Sequence, residues 1–165
     1  ARGQPELFST AIYLTIDVET GEVLLANAGH PPPYICRAGG AVERVDLGGT
    51  GAIGFFDQSE FPVSTLHLER GDSLVLYTDG IAEAVDPQGN LFGYERLEAC
   101  LVQPDANPRM RCERILRDVE NFVTSGFDHD DLTLLICHRG EEGGEGRSRR
   151  DSTLRTRLVD VEPQF

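Results

Sequence analysis

Two acidic pairs at the ends of apolar runs carry the chemistry this sequence offers. Residues 73–78 (SLVLYT) form a short apolar and β-branched run suited to a sheet interior, and Asp79-Gly80 stops it with a turn-forming pair. Asp130-Asp131 opens a second such run, residues 132–137 (LTLLIC). If the two runs are neighbouring strands, the carboxylates come together. Clustered carboxylates repel unless a cation sits among them, and hard divalent ions such as Mg²⁺ or Mn²⁺ take oxygen ligands of this kind. The structural alternative is a plain turn at Thr78-Asp79-Gly80 and a solvated strand entry at Asp130-Asp131. On composition and spacing alone that alternative stands ahead, because Asp-Gly is a common turn signal in β-rich proteins.

The elements that must position these residues are hairpins followed by helices. Residues 9–17 and 22–27 read as strands joined through Glu19-Thr20-Gly21, and 34–37 and 41–45 as a second hairpin across Ala38-Gly39-Gly40. Residues 61–68 alternate apolar and polar, and Arg70-Gly71-Asp72 joins them to the run ending at Asp79. Between the hairpins, residues 28–33 force a bend, since three consecutive prolines cannot donate ladder hydrogen bonds. His30 lies in this bend; a lone His beside prolines is more often a packing or hydrogen-bonding residue than a ligand or proton carrier. Four glycines in residues 48–54 match neither the dinucleotide nor the P-loop pattern, and they are read as a tight loop near the site. Residues 94–102 have helical spacing. A stronger helix starts at Asn107-Pro108, a capping residue with Pro in the first helical position, and runs to about 124. Met110, Ile115, Leu116, Val119, Phe122 and Val123 form its apolar stripe, against a solvated face of Arg111, Arg114, Arg117, Asp118 and Glu120. The order of elements predicts an α+β fold of mainly antiparallel strands with helices outside.

Composition narrows the function classes. The 165 residues carry a net charge of −13, and residues 1–139 hold 22 of the acids against 10 arginines. Such a surface is a poor partner for nucleic acid or anionic membrane and is compatible with cation binding. Cys36, Cys100, Cys112 and Cys137 lie far apart without zinc or redox spacing, so buried free thiols in a reducing compartment are expected. With no secretory pattern and no apolar run near the ~20 residues that cross a bilayer, a cytoplasmic location is expected, provided no membrane segment lies upstream. Residues 140–165 are glycine-rich and charged and are predicted to be a disordered tail; residues 1–139 would then be the folded part.

Four stretches in order add a resemblance: Asn27-Ala28-Gly29-His30-Pro31-Pro32-Pro33, then Leu76-Tyr77-Thr78-Asp79-Gly80, then Leu91-Phe92-Gly93, then Asp130-Asp131-Leu132-Thr133. Over about residues 8–139 the chain resembles the bacterial SpoIIE-type branch of the PPM, or type 2C, metal-dependent protein phosphatases. The resemblance implies an α-β-β-α sandwich and hydrolysis of phosphoserine or phosphothreonine by water activated between two Mn²⁺ or Mg²⁺ ions. It implies that Asp79 and Asp130 bind metal and that Gly80, Asp131 and His30 support the ligands without binding the ions. It further implies a phosphoprotein substrate of the anti-sigma factor antagonist type and an upstream sensory or receiver domain. The chain departs from the family at its amino end. It has neither the Gly-Asp strand nor the Asp-x-x-Gly-x-Gly segment whose aspartate bridges the metals, and the acidic residue of a third metal site is absent near His30. The resemblance is therefore to the C-terminal part of such a domain, expected to be inactive or weakly active alone, with uncovered sheet edges that would favour a homodimer. A catalytically silent regulatory module on the same fold, and a plain β-rich binding domain, are the competing readings.

Overall fold

The computed structural model describes residues 8–48, 51–54, 60–104, 107–123 and 132–140. The chain runs β1 (Ala11–Ile16), β2 (Glu22–Ala28), β3 (Tyr34–Cys36), β4 (Val42–Arg44), β5 (Val63–His67) and β6 (Ser73–Tyr77). Three helices follow, α1 (Asp79–Ala82), α2 (Gly93–Val102) and α3 (Pro108–Val123), before β7 (Leu134–His138). The predicted strands and both longer helices are present to within a few residues. The predicted tail lies, from residue 141 on, outside the described residues.

The strands form two antiparallel sheets, one ordered β1-β2-β5 and one ordered β4-β3-β6-β7. Both predicted hairpins form, through the β1–β2 and β3–β4 pairings. The β5–β6 connection does something the sequence pattern leaves open: Arg70-Gly71-Asp72 carries the chain from one sheet to the other. Asp72 fixes that crossing. Its buried carboxylate accepts hydrogen bonds from the Glu69 and Ala38 amides and from Arg37, whose guanidinium also grips Glu43 on β4. The corner between the sheets is thereby tied to the β3–β4 hairpin.

The core has two halves. Val23, Leu25, Ile35, Leu68, Leu74 and Cys137 pack between the sheets, while Tyr34, Val75, Tyr77, Leu97, Ile115 and Leu134 pack between the second sheet and the helices. Every residue of β6 is buried because the strand has a layer on each side, which is why its sequence is a continuous apolar run and not an alternating one. On α3 the buried positions are Cys112, Ile115, Val119 and Val123. Met110, expected in that stripe, is exposed, since at about 100° per residue it lies roughly opposite Val119 on the helix. Arg114, expected in solvent, lies largely covered beside Asp118 and the Cys100 thiol. Asn107 caps α3 as predicted, its side chain accepting the Met110 amide at 3.0 Å.

Gly29 makes the bend after β2 with φ of 68°, and a β-carbon there would stand 2.9 Å from the Ala52 backbone nitrogen. Gly29→Ala combines left-handed strain with a backbone collision, and it is expected to cost about 1–3 kcal/mol of stability, read as a lowered urea midpoint at unchanged slope.

Candidate metal-binding site

The β6–β7 ladder pairs Ser73 with His138 through to Tyr77 with Leu134, so the two strands run side by side toward Thr78 and Thr133. There the pairing is extended by one step. The Thr78 amide donates to the Thr133 carbonyl at 3.0 Å, and the Thr133 amide donates to the Thr78 hydroxyl at 2.9 Å. Asp79 comes next, exposed at the mouth of the fully buried strand. The expectation that the two runs are neighbours holds. Asp130 and Asp131 precede Leu132 in sequence and lie outside the described residues.

Asp79 does not merely end a strand in a turn. It opens α1, a single helical turn whose Glu83 amide returns to the Asp79 carbonyl. Gly80, buried beneath it, donates its amide to Asp79 Oδ1 at 3.0 Å. That bond occupies one lone pair and orients the carboxylate while leaving the second oxygen available. A small residue at position 80 lets the backbone turn directly under the acid.

His30 reaches the same end of the sheets from the bend after β2. The bend is held by a reciprocal clamp that the sequence reading passed over: Asn27 Nδ2 donates to the His30 carbonyl at 2.9 Å, and the His30 amide donates to Asn27 Oδ1 at 2.8 Å. Tyr77 adds a third tie by donating its hydroxyl to the Pro32 carbonyl at 3.1 Å. Partial burial pulls the His30 pKa below its ordinary value, and this outweighs the opposing pull of the Asp79 charge and of a bond to the Tyr77 backbone. The imidazole is therefore neutral at pH 7. A buried Asn two residues before a Gly-His bend is the signal by which this clamp was legible, since a buried amide has to find backbone partners.

A cavity of about 490 Å³ opens beside His30 and Thr78 between the sheets, walled by Ile12, Leu14, Leu76, Leu135 and Cys137. Its lining is mostly apolar, and His30, Thr78, Thr133 and the Cys137 thiol are among its polar members. The glycine loop passes close by as expected, with Ala52 against Gly29.

The described part of the site fits a hard cation in donor type and not in number. Asp79 is an exposed carboxylate on a rigid strand end, the oxygen ligand that Mg²⁺ and Mn²⁺ take. Among the described residues no group of three His, Cys, Asp or Glu side chains converges to hold a metal. All four cysteines are free and buried, and burial raises the Cys36, Cys100 and Cys137 thiols, which suits core packing and not ligation. No described helix is long and apolar enough to cross a membrane.

Comparison with known proteins places this arrangement. The family model for Stage II sporulation protein E (SpoIIE) matches residues 1–140. Protein IcfG of Synechocystis is 28% identical over 137 residues, covering 83% of this chain and 22% of that protein. Phosphoserine phosphatase RsbP of Bacillus subtilis is 29% identical over 129 residues, covering 78% of this chain and 30% of that protein. The chain thus spans less than a third of either relative. Among solved structures, the manganese-presoaked phosphatase domain of the cell fate determinant SpoIIE from Bacillus subtilis superposes with a TM-score of 0.65 at 21% identity, over 82% of this chain and 58% of that one. The two-sheet architecture described above is that of the PPM phosphatase fold.

Proposed function

The chain belongs to the SpoIIE family, and from that premise we propose that it forms part of a metal-dependent protein phosphatase acting on phosphoserine or phosphothreonine. The observation that carries this reading is the position of Asp79, an exposed carboxylate just past the end of the β6–β7 ladder. Asp79 and Asp130 would hold the divalent ions. When bound, such ions supply a water of lowered pKa and neutralise phosphoryl oxygens.

The chain's own residues set the stage for that chemistry. The Gly80 amide fixes the Asp79 carboxylate, and the Thr78–Thr133 exchange keeps the ends of β6 and β7 together. Asn27 and Tyr77 hold the His30 bend, which keeps a neutral imidazole beside Asp79 without adding positive charge that would oppose a cation. Asp131 joins Gly80 and His30 in supporting the ligands. The substrate class we propose, a phosphorylated signalling protein of the anti-sigma factor antagonist type, rests on the family alone, as does control by a sensory or receiver domain elsewhere in the protein. Buried free thiols support a reducing, cytoplasmic setting.

A second reading, a catalytically silent interaction module on the same fold, is favoured by the lack of a three-ligand cluster among the described residues. Metal titration separates the two. The full 165-residue chain is expected to bind Mn²⁺ weakly, and Asp79→Asn to weaken it further by about tenfold or more. Identical Mn²⁺ isotherms for the two proteins would remove Asp79 from the metal site and leave the silent module standing.

A further inference from the structure

Directly after the helical turn that Asp79 opens, residues 84–92 make a small hairpin. The Phe92 amide donates to the Ala84 carbonyl at 2.7 Å, Val85 faces Leu91 in an antiparallel bridge, and the Asp86 amide donates to the Asn90 carbonyl at 2.9 Å. Successive pairs of such a ribbon face opposite sides. Ala84 and Phe92 accordingly lie in the core, while Val85 and Leu91 are 37% and 54% exposed. Two apolar side chains thus stand side by side on the outer face of the hairpin.

Single exposed apolar residues are ordinary on a protein surface. This pair is set apart by how firmly it is held and by where it stands. Asp86 closes the tip, its carboxylate accepting the Gln88 and Asn90 amides and the Asn90 side-chain amide. Arg96 of α2 anchors the base by donating to the Leu91 and Phe92 carbonyls at 2.9 and 3.0 Å. The Phe92 ring meets Phe122, in the last turn of α3, edge-on at 5.4 Å between centroids. From Asp79 to residue 83 the helical turn advances about 6 Å, and two further extended residues add at most about 7 Å. The Val85 backbone therefore lies within roughly 13 Å of the Asp79 backbone. A peptide laid out extended from the Asp79 site covers that span in about three or four residues. The net charge of −13 gives a phosphoprotein no long-range attraction to this chain, so apolar contact is what the surface beside Asp79 offers it.

We propose that the Val85–Leu91 pair is a docking ridge for the protein substrate, which rests on the phosphatase reading above, and that it receives an apolar side chain about three or four residues from the phosphoserine. The ridge selects among phosphoproteins by what flanks the phosphate, while the Asp79 site reads the phosphate itself.

The test is fluorescence anisotropy with the full-length protein in Mn²⁺ and labelled peptides that carry a non-hydrolysable phosphonate in place of the phosphoserine. One peptide has leucine about three or four residues to either side, and the other has serine there. The leucine peptide is expected to bind about tenfold more tightly. That preference is expected to disappear in Val85→Ser/Leu91→Ser and to persist in Val102→Ser, a change at the exposed far end of α2. Leu91→Lys alone, at the more exposed of the two side chains, is expected to abolish it as well and reports on docking even if the double variant folds poorly. Equal binding of the two peptides by the wild type, binding of neither, or a preference that survives in Leu91→Lys overturns the proposal. A leucine peptide with plain serine at the central position separates the ridge from the phosphatase reading. If it binds as tightly as the phosphonate peptide while the preference and its loss in the variants stand, the ridge is upheld and the phosphatase reading falls.

Discussion

Asp79→Asn in the full-length protein is expected to lower Mn²⁺-dependent turnover of a phosphoserine peptide by about a hundredfold or more, with no change in melting temperature. The carboxylate is exposed, and among the described residues it accepts the adjacent Gly80 amide, which an asparagine oxygen accepts equally well. The substitution therefore deletes a negative charge and little else. A ligand charge worth about 3 kcal/mol of transition-state stabilisation corresponds to roughly two factors of ten in rate. Asp130→Asn is expected to behave alike, and chelator to bring the wild type down to the level of the variants. Wild-type turnover by either variant at saturating Mn²⁺ would sink the assignment, whereas loss of activity together with a lowered melting temperature would point to a structural role.

Asp72→Ala is expected to produce the largest loss of stability from a polar substitution, about 3 kcal/mol, measured as a fall in the urea midpoint near neutral pH. Asp72 is only 2% exposed and accepts from Arg37, the Ala38 amide and the Glu69 amide. Removing it strands the Ala38 and Glu69 amides at the corner where the chain changes sheets and leaves Arg37 with Glu43 and the His67 carbonyl. The contribution depends on pH in a defined direction. Burial by itself raises the carboxyl's pKa, but the hydrogen bonds from Arg37, Ala38 and Glu69 outweigh it and leave the folded value below the ordinary 3.8. A carboxylate with a depressed folded pKa contributes fully above its unfolded value and loses that contribution as pH falls through the folded one. The stability gap between wild type and Asp72→Ala should therefore be constant from about pH 5 to 7 and narrow below about pH 4. A gap that widens on acidification would mean that Asp72 folds protonated.

The local features of this chain were legible where one residue's chemistry admits one solution. Asn107 followed by Pro108 starts a helix because the capping amide and the missing proline N–H both answer the unpaired amides of a first turn. Residues 73–77 had to be interior because an unbroken apolar run has no solvent face to offer. With that strand fixed at the centre, Asp79 was bound to stand at its mouth. Met110 is exposed because at about 100° per residue it falls roughly opposite Val119, off the buried stripe, whereas Arg114 is covered because α2 packs beside it and brings Cys100 near.

What the sequence determined by itself, then, was the strands and the two longer helices, the position of Asp79 at a strand end and the bend after β2, since each depends on backbone preferences and polarity within a few residues. Tertiary structure alone decided that β5 and β6 belong to different sheets although a short turn, residues 68–72, joins them, and that Arg37 finds Asp72 thirty-five positions away. It likewise decided that Cys36, Ser73 and His138 line up in one row under Arg111. Those are partnerships between distant segments. Their free energy comes from burying shared surface and satisfying one another's hydrogen bonds, and a period or a propensity states which face a residue takes without naming the residue it will meet there.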